Sequence, residues 1–405
     1  MPKVSPRVLL AALVSVAWGL ASQAAVQRSP ANPVVIPFEL GTRHIIVQAT
    51  VNGSRPLSFV FDTGANQALV RMDVARELKL NLEGEVRSGG AGPGSQVGSQ
   101  VRRASWSLVG FAGFVQPVSF ALPMEELPQA MGRDVDGIIG GEFIRQFVIE
   151  VDYRAHTLTL HDPKTFRYTG DGETLPLDFT PDNHPVLTAT VTPQGAPPIQ
   201  RRFLLDLGSG GTLILHSPFV VEQHLLQAGI PTVRTIGAAG AGGRTAGQIG
   251  RVDALQIGSV TLKNVLTMFS EDRAGAMANP ALAGNIGAQI ANRFRVILDY
   301  SRKQITLEPT ATIGDPFDRA FSGVALRADG PGYHTFHVKE ILEQSPATEA
   351  DIREGDLITA VNGTPASALT LSAINEMFEK VAVYTVTLQR DGQILTTTLK
   401  PRRMV

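Results

Sequence analysis

One succession of elements occurs twice in this chain. A repeat on that scale points to two like units related by an approximate two-fold axis. The first copy opens with residues 36–40 and 44–51, the second with 175–179 and 184–191. In each, an apolar strand then runs into an Asp-x-Gly turn: Phe59-Val60-Phe61-Asp62-Thr63-Gly64-Ala65 and Phe203-Leu204-Leu205-Asp206-Leu207-Gly208-Ser209. A glycine-rich stretch follows, with Gly89, Gly90 and Gly92 in the first copy and Gly240 and Gly242 in the second. Next comes an apolar-Gly element, Ile138-Ile139-Gly140 and Asn285-Ile286-Gly287, and then a strand ending in Asp152-Tyr153 or Asp299-Tyr300. The interval from Gly140 to Asp152 equals that from Gly287 to Asp299, which argues for common descent of the two halves.

The 405 residues suffice for two to three domains, and 43% hydrophobic against 18% charged residues supply ordinary cores. With a net charge of −1 and no single-sign block, nothing marks a nucleic-acid partner. Lys3 and Arg7 precede an apolar run over 8–20 and small residues at 21–25, so residues 1–24 read as a secretory signal peptide, with an N-terminal anchor as the alternative. The chain has no cysteine, hence no disulfide framework and no lipid-attachment cysteine. The expected location is the periplasm or the exterior. Between the turns the chain reads as β-strands, with a short helix over 74–80 as an exception.

The two Asp turns suit one kind of chemistry. A pair of carboxyl groups can share a water, the ionised one taking its proton and the protonated one donating to a carbonyl oxygen. Two carboxylates about 3 Å apart cannot both ionise cheaply, so their pKa values separate. Asp62 and Asp206 are the candidate pair. Gly64 and Gly208 permit tight turns beneath the carboxylates, Ala65 and Ser209 complete those turns, and the Thr63 hydroxyl can cross the axis to lock them together.

These residues resemble the pepsin/retropepsin aspartic proteases, in particular bacterial exported retropepsin-like proteins, over roughly residues 34–309. The resemblance implies a mainly β, bilobal double-β-barrel, with lobe 1 at 34–165 and lobe 2 at 173–310. It also implies an aspartic endopeptidase acting on peptide or protein substrates, without cofactor or metal. The glycine-rich stretches would be flaps. Two departures stand out: Leu207 replaces the family's Thr, and the flap carries no Tyr. Leu207 leaves open the alternative of a catalytically inactive peptide-binding or scaffold protein of the cell envelope.

The segment 317–402 has a different character. Ser345-Pro346-Ala347 and the later Gly355-Asp356-Leu357-Ile358-Thr359-Ala360-Val361-Asn362-Gly363 resemble a bacterial PDZ domain. Residues 370–380 read as its groove helix, with Leu371, Ile374 and Phe378 inward. By the resemblance, a peptide ligand would add beside a strand over about 333–341, near Tyr333, Phe336 and Val338. Asp329, just before that strand, would oppose a free carboxylate. The eight histidines show no metal-ligand spacing, and the glycine runs lack the Lys-Ser/Thr of a phosphate loop.

Overall fold

A computed structural model describes residues 32–405, apart from 91, 93, 227–228, 235–238 and 241–242; the expected signal peptide lies outside the described residues. Two eight-stranded sheets of matching order form the lobes. In lobe 1 the strand before Asp62, Leu57–Phe61, is buried throughout, because it lies between His44–Val51 and Gly137–Ile139 inside the sheet with both faces covered. It pairs parallel with Gly137–Ile139, as Ile199–Asp206 pairs parallel with Gly284–Gly287 in lobe 2. A second parallel pair recurs, Leu69–Arg71 with Phe111–Leu122 and Leu213–Leu215 with Val260–Ser270. Extra pairings of His44–Val51 with Ser95–Leu108, and of Pro185–Thr192 with Gly247–Ile257, curl each sheet towards a barrel.

The glycines of the apolar-Gly elements answer to backbone crossings. A Cβ on Gly137 would stand 2.0 Å from the Leu69 carbonyl oxygen, and one on Gly284 1.9 Å from that of Ile214. Any side chain there would part the paired strands.

The repeated Asp-Tyr strands meet each other. Val148–Asp152 and Phe294–Asp299 pair antiparallel at the centre of a six-stranded sheet built equally from both halves. Its outer strands are Val34–Pro37 and Glu173–Pro176, the first strand of each copy. One apolar core accordingly runs through both lobes, from Phe59 and Trp106 to Phe203 and Phe294. The short helix forms at Met72–Glu77 rather than 74–80: Lys79 takes a left-handed backbone (φ 52°), and the turned chain buries Leu80 with its N–H on the Ala75 carbonyl.

The C-terminal segment builds its own sheet, in the order Val324–Asp329, Thr335–Ile341, Leu357–Val361, Tyr384–Arg390, Gln393–Leu399, around a separate core. Its helix spans Leu371–Phe378, with Thr370 as N-cap accepting the Ala373 N–H (3.1 Å). The expectation for the groove strand needs correction. Thr335–Ile341 is paired on both edges, so its backbone cannot receive another strand. The edge strand beside the helix is Val324–Asp329. Phe336, Val338, Leu371, Ile374 and Phe378 point into the core and are buried.

The linker is pinned to lobe 2. The Arg293 guanidinium donates to the carbonyls of Thr312, Ile313, Asp315 and Pro316 and lies over the Phe317 ring, 3.7 Å from its centroid. Arg251 donates to the Phe317 carbonyl (3.0 Å) and to that of the terminal Val405 (3.3 Å). The edge strand Val324–Asp329 faces lobe 1, where helix Glu126–Met131 packs on it. A Cβ on Gly132 would come 2.4 Å from Leu371 Cβ. The Tyr333 hydroxyl donates to Asp134 (3.0 Å), and Arg43 and Arg319 both pair with Glu379.

Candidate active site

Asp62 ends its strand with its N–H on the Ile139 carbonyl (3.0 Å), so the apolar-Gly element behind it sets its position. Its carboxylate accepts the Gly64 N–H (2.6 Å) and faces the amides of Ala65 and Gly208. Asp206 faces the amides of Gly208 and Ser209 and accepts a bond from the Asn285 amide (2.9 Å). The glycines bring the turns together, each lying against the opposite carboxyl. A Cβ on Gly208 would stand 2.0 Å from Asp62 Cγ, and one on Gly64 2.7 Å from Asp206 Oδ1. The two carboxyls face each other across the axis.

Ala65 and Ser209 anchor the next layer. Their carbonyls accept the N–H groups of Gly141 (2.7 Å) and Ala288 (2.9 Å), which tie each Asp-x-Gly turn to the short helix after its apolar-Gly element. Gly140 must be bare there, since a Cβ would meet the carbonyls of Gln67 and Ala65 at 2.5 and 2.6 Å.

Thr63 crosses the axis as expected. Its hydroxyl donates to the Leu205 carbonyl (2.6 Å) and accepts the Leu207 N–H (2.9 Å). No hydroxyl returns from lobe 2 at this level, because Leu207 stands there, fully buried in the shared core. The lock between the turns is one-sided, and apolar packing takes the second half of the job.

Burial pushes both carboxyls up, and for Asp62 the negative charge of Asp206 adds to it, so that Asp62 reaches about 7. Bonds from Asn285, Ser209, Gly208 and Asp62 oppose the rise at Asp206. The dyad titrates as a unit.

The first glycine-rich stretch is a hairpin. Leu82–Gly89 pairs with Ser95–Leu108, with Gly89 opposite Ser95, and the Gly90 carbonyl accepts the N–H of Ala276 in lobe 2 (3.2 Å). The hairpin therefore reaches from one lobe to the other; Gly92 lies in its tip. In the second stretch Gly240 pairs with Gly243 in a two-residue ladder, and Gly242 lies outside the described residues. Of the residues assigned to the PDZ groove, Tyr333 bonds lobe 1 through Asp134 and the others form the domain core. Asp329 has its charge met locally, by His337 (3.2 Å) and Arg327 (3.4 Å).

Two residues escaped the sequence reading. Asn285 stands where the repeat has Ile138, and His216, a lone histidine in sequence, bonds it from behind (2.8 Å). The Asn285 signal was present as a polar residue inside an apolar-Gly element; His216 had none.

A family model described as aspartyl protease matches residues 47–143, and one described as PDZ domain matches residues 312–389. The chain thus carries an aspartyl protease domain of retropepsin-like type followed by a PDZ domain. Among solved structures, an aspartic proteinase from Irpex lacteus aligns at 13% identity, covering 70% of this chain and 99% of its own, with a TM-score of 0.47. Basic 7S globulin from soybean aligns at 11% identity, covering 69% and 96%, with a TM-score of 0.42. A search of curated proteins returned no match.

Proposed function

We propose that this chain is an exported aspartic endopeptidase, located in the periplasm or secreted, that hydrolyses peptide bonds with a water held between Asp62 and Asp206. The observation that carries this reading is the half-buried carboxyl pair with its backbone amides and opposed glycines. The ionised carboxyl takes a proton from the water as its oxygen attacks the peptide carbonyl carbon. The protonated carboxyl gives its proton to the carbonyl oxygen, forming a neutral diol. Proton return to the amide nitrogen then releases the amine as the C–N bond breaks. The hairpin over 82–108 covers the reacting groups and excludes bulk water. The Asp62 proton is held up to about pH 7, so activity extends towards neutrality and falls above it. The PDZ domain positions peptide at its edge strand Val324–Asp329, in exchange for its packing on helix Glu126–Met131.

A mixed peptide library incubated with wild type, Asp62→Asn and Asp206→Asn tests the reading. Wild type should cleave, and each variant should lose on the order of 10²–10⁴ in rate. Cleavage products that persist unchanged in both variants, or none from wild type, would sink it.

A further inference from the structure

The two halves treat their carboxyls differently from behind. In lobe 2 the Asn285 Nδ2 donates to Asp206 Oδ2 (2.9 Å), and its Oδ1 faces His216 Nε2 (2.8 Å). The other ring nitrogen, Nδ1, faces the Asn279 carbonyl (3.2 Å). Both His216 and Asn285 are 1% exposed. Among the described residues, lobe 1 has no such chain. The strand register matches Asn285 to Ile138 and His216 to Arg71: the N–H groups of Arg71 and His216 bond the corresponding carbonyls of Asp136 and Ala283, both at 2.8 Å. The Arg71 side chain turns outward to Asp73.

An amide has one donating and one accepting end. With Nδ2 spent on Asp206, both nitrogens of His216 face oxygens, and the ring satisfies them only as the doubly protonated cation. Turning the amide over reverses the set. Asp206 must then carry a proton to give to Oδ1, and Nδ2 gives to a neutral ring. The pair is thus either carboxylate with imidazolium or acid with neutral ring, and neither state buries an unpaired charge. The observed orientation is the first.

We infer that Asn285 and His216 form a proton-linked relay behind Asp206 that holds it as the ionised, water-activating partner and leaves Asp62 as the acid. These roles rest on the peptidase reading; the relay itself does not. His216 and Asn285 are positioning residues, since they act through Asp206. Burial outweighs the bonds from Asn285 and Asn279 and holds the His216 ring below the usual imidazole range, so the charged pair belongs to the acid side of neutrality. The other ionisable groups around the relay are Asp62 across the axis and Asp272 beyond Ser217. The Asp272 carboxylate is already taken by the Ala246 N–H and the Ser270 hydroxyl.

The ring can be read directly, by nitrogen-15 NMR of the purified full chain at about pH 5. Wild type should show His216 protonated at both nitrogens, and Asp206→Asn should leave it with one. A neutral ring in wild type, or identical titration in the two proteins, overturns the relay. This arm decides even if no peptide is cleaved, an outcome that would remove only the peptidase reading. In cleavage assays, His216→Gln keeps a donor to Asn285 but no charge. It should lower kcat about 10–100-fold with little change in KM, the range outer partners command at metal sites. It should also raise the acidic limb of the pH profile by about one unit, because Asp206 loses its cationic partner. An unshifted limb counts against the relay.

Discussion

Lobes 1 and 2 share a strand order yet divide the work around the dyad. Lobe 1 supplies the crossing hydroxyl, Thr63, and the hairpin that reaches lobe 2. Lobe 2 supplies a buried leucine where that hydroxyl would recur, and a polar chain behind its carboxyl. A duplicated frame therefore needs symmetry only in its backbone. The glycines that let strands and turns cross are paired between the halves, while the side chains that tune the carboxyls are free to differ.

The glycines test the symmetric part. In Gly208→Ala a methyl would lie 2.0 Å from Asp62 Cγ, and in Gly64→Ala 2.7 Å from Asp206 Oδ1. Both should lose about 100-fold or more in kcat/KM, through displacement of a reacting group by about 1 Å. Gly208→Ala should be the worse, with an overpacking cost of about 1–3 kcal/mol in denaturant melts. Equal and mild effects would show that the turns can part without cost to the carboxyl pair.

The asymmetric part comes next. Leu207→Ala should cost about 2–5 kcal/mol, as for other buried leucines. Thr63→Val orphans a buried carbonyl and a buried N–H and should cost about 1–3 kcal/mol for each group left unpaired. Urea unfolding of both variants sets packing against hydrogen bonding at equivalent positions. A negligible effect of Thr63→Val would show that the crossing hydroxyl holds nothing together.

The pH dependence separates the carboxyls. The Asp62 pKa rises from about 4 in the unfolded chain to about 7 in the folded one. Between those values the native state binds more protons than the unfolded state, so its stability falls as pH rises. Wild type should therefore lose stability between pH 5 and pH 8 relative to Asp62→Asn, measured by denaturant midpoints at both pH values. Parallel slopes would remove the claim of a retained proton.

The smallest effect lies at the PDZ contact. Tyr333→Phe removes a single partly exposed bond to Asp134 and should cost under about 1 kcal/mol. Faster amide exchange in helix Glu126–Met131 is its expected trace, and unchanged exchange would show that apolar packing alone seats the domain.

Much of this architecture was legible before any coordinates. Equal spacing in the two copies, and two Asp-x-Gly turns after apolar strands, carry information that survives without tertiary detail. The PDZ groove strand was misplaced for a physical reason. Residues 335–341 and 324–329 both read as strands, and only the pairing order tells which one is the edge. His216 was invisible because its partners lie more than sixty positions away in the chain. Asn285 could have been singled out, since a polar residue in a buried apolar-Gly element must find a partner. The helix at 72–77 shifted because Lys79 entered a left-handed turn that local periodicity does not announce.

The six-stranded sheet shared by the halves has a mechanical consequence. Jaws that swing apart need a seam with few bonds across it, whereas here the central strands are laced together through Val148–Asp152 and Phe294–Asp299. The floor between the lobes is thus one hydrogen-bonded plate. The hairpin touches lobe 2 where Gly90 meets Ala276. Under the peptidase reading proposed above, such a floor suits a slack, single-file chain and turns away a folded domain.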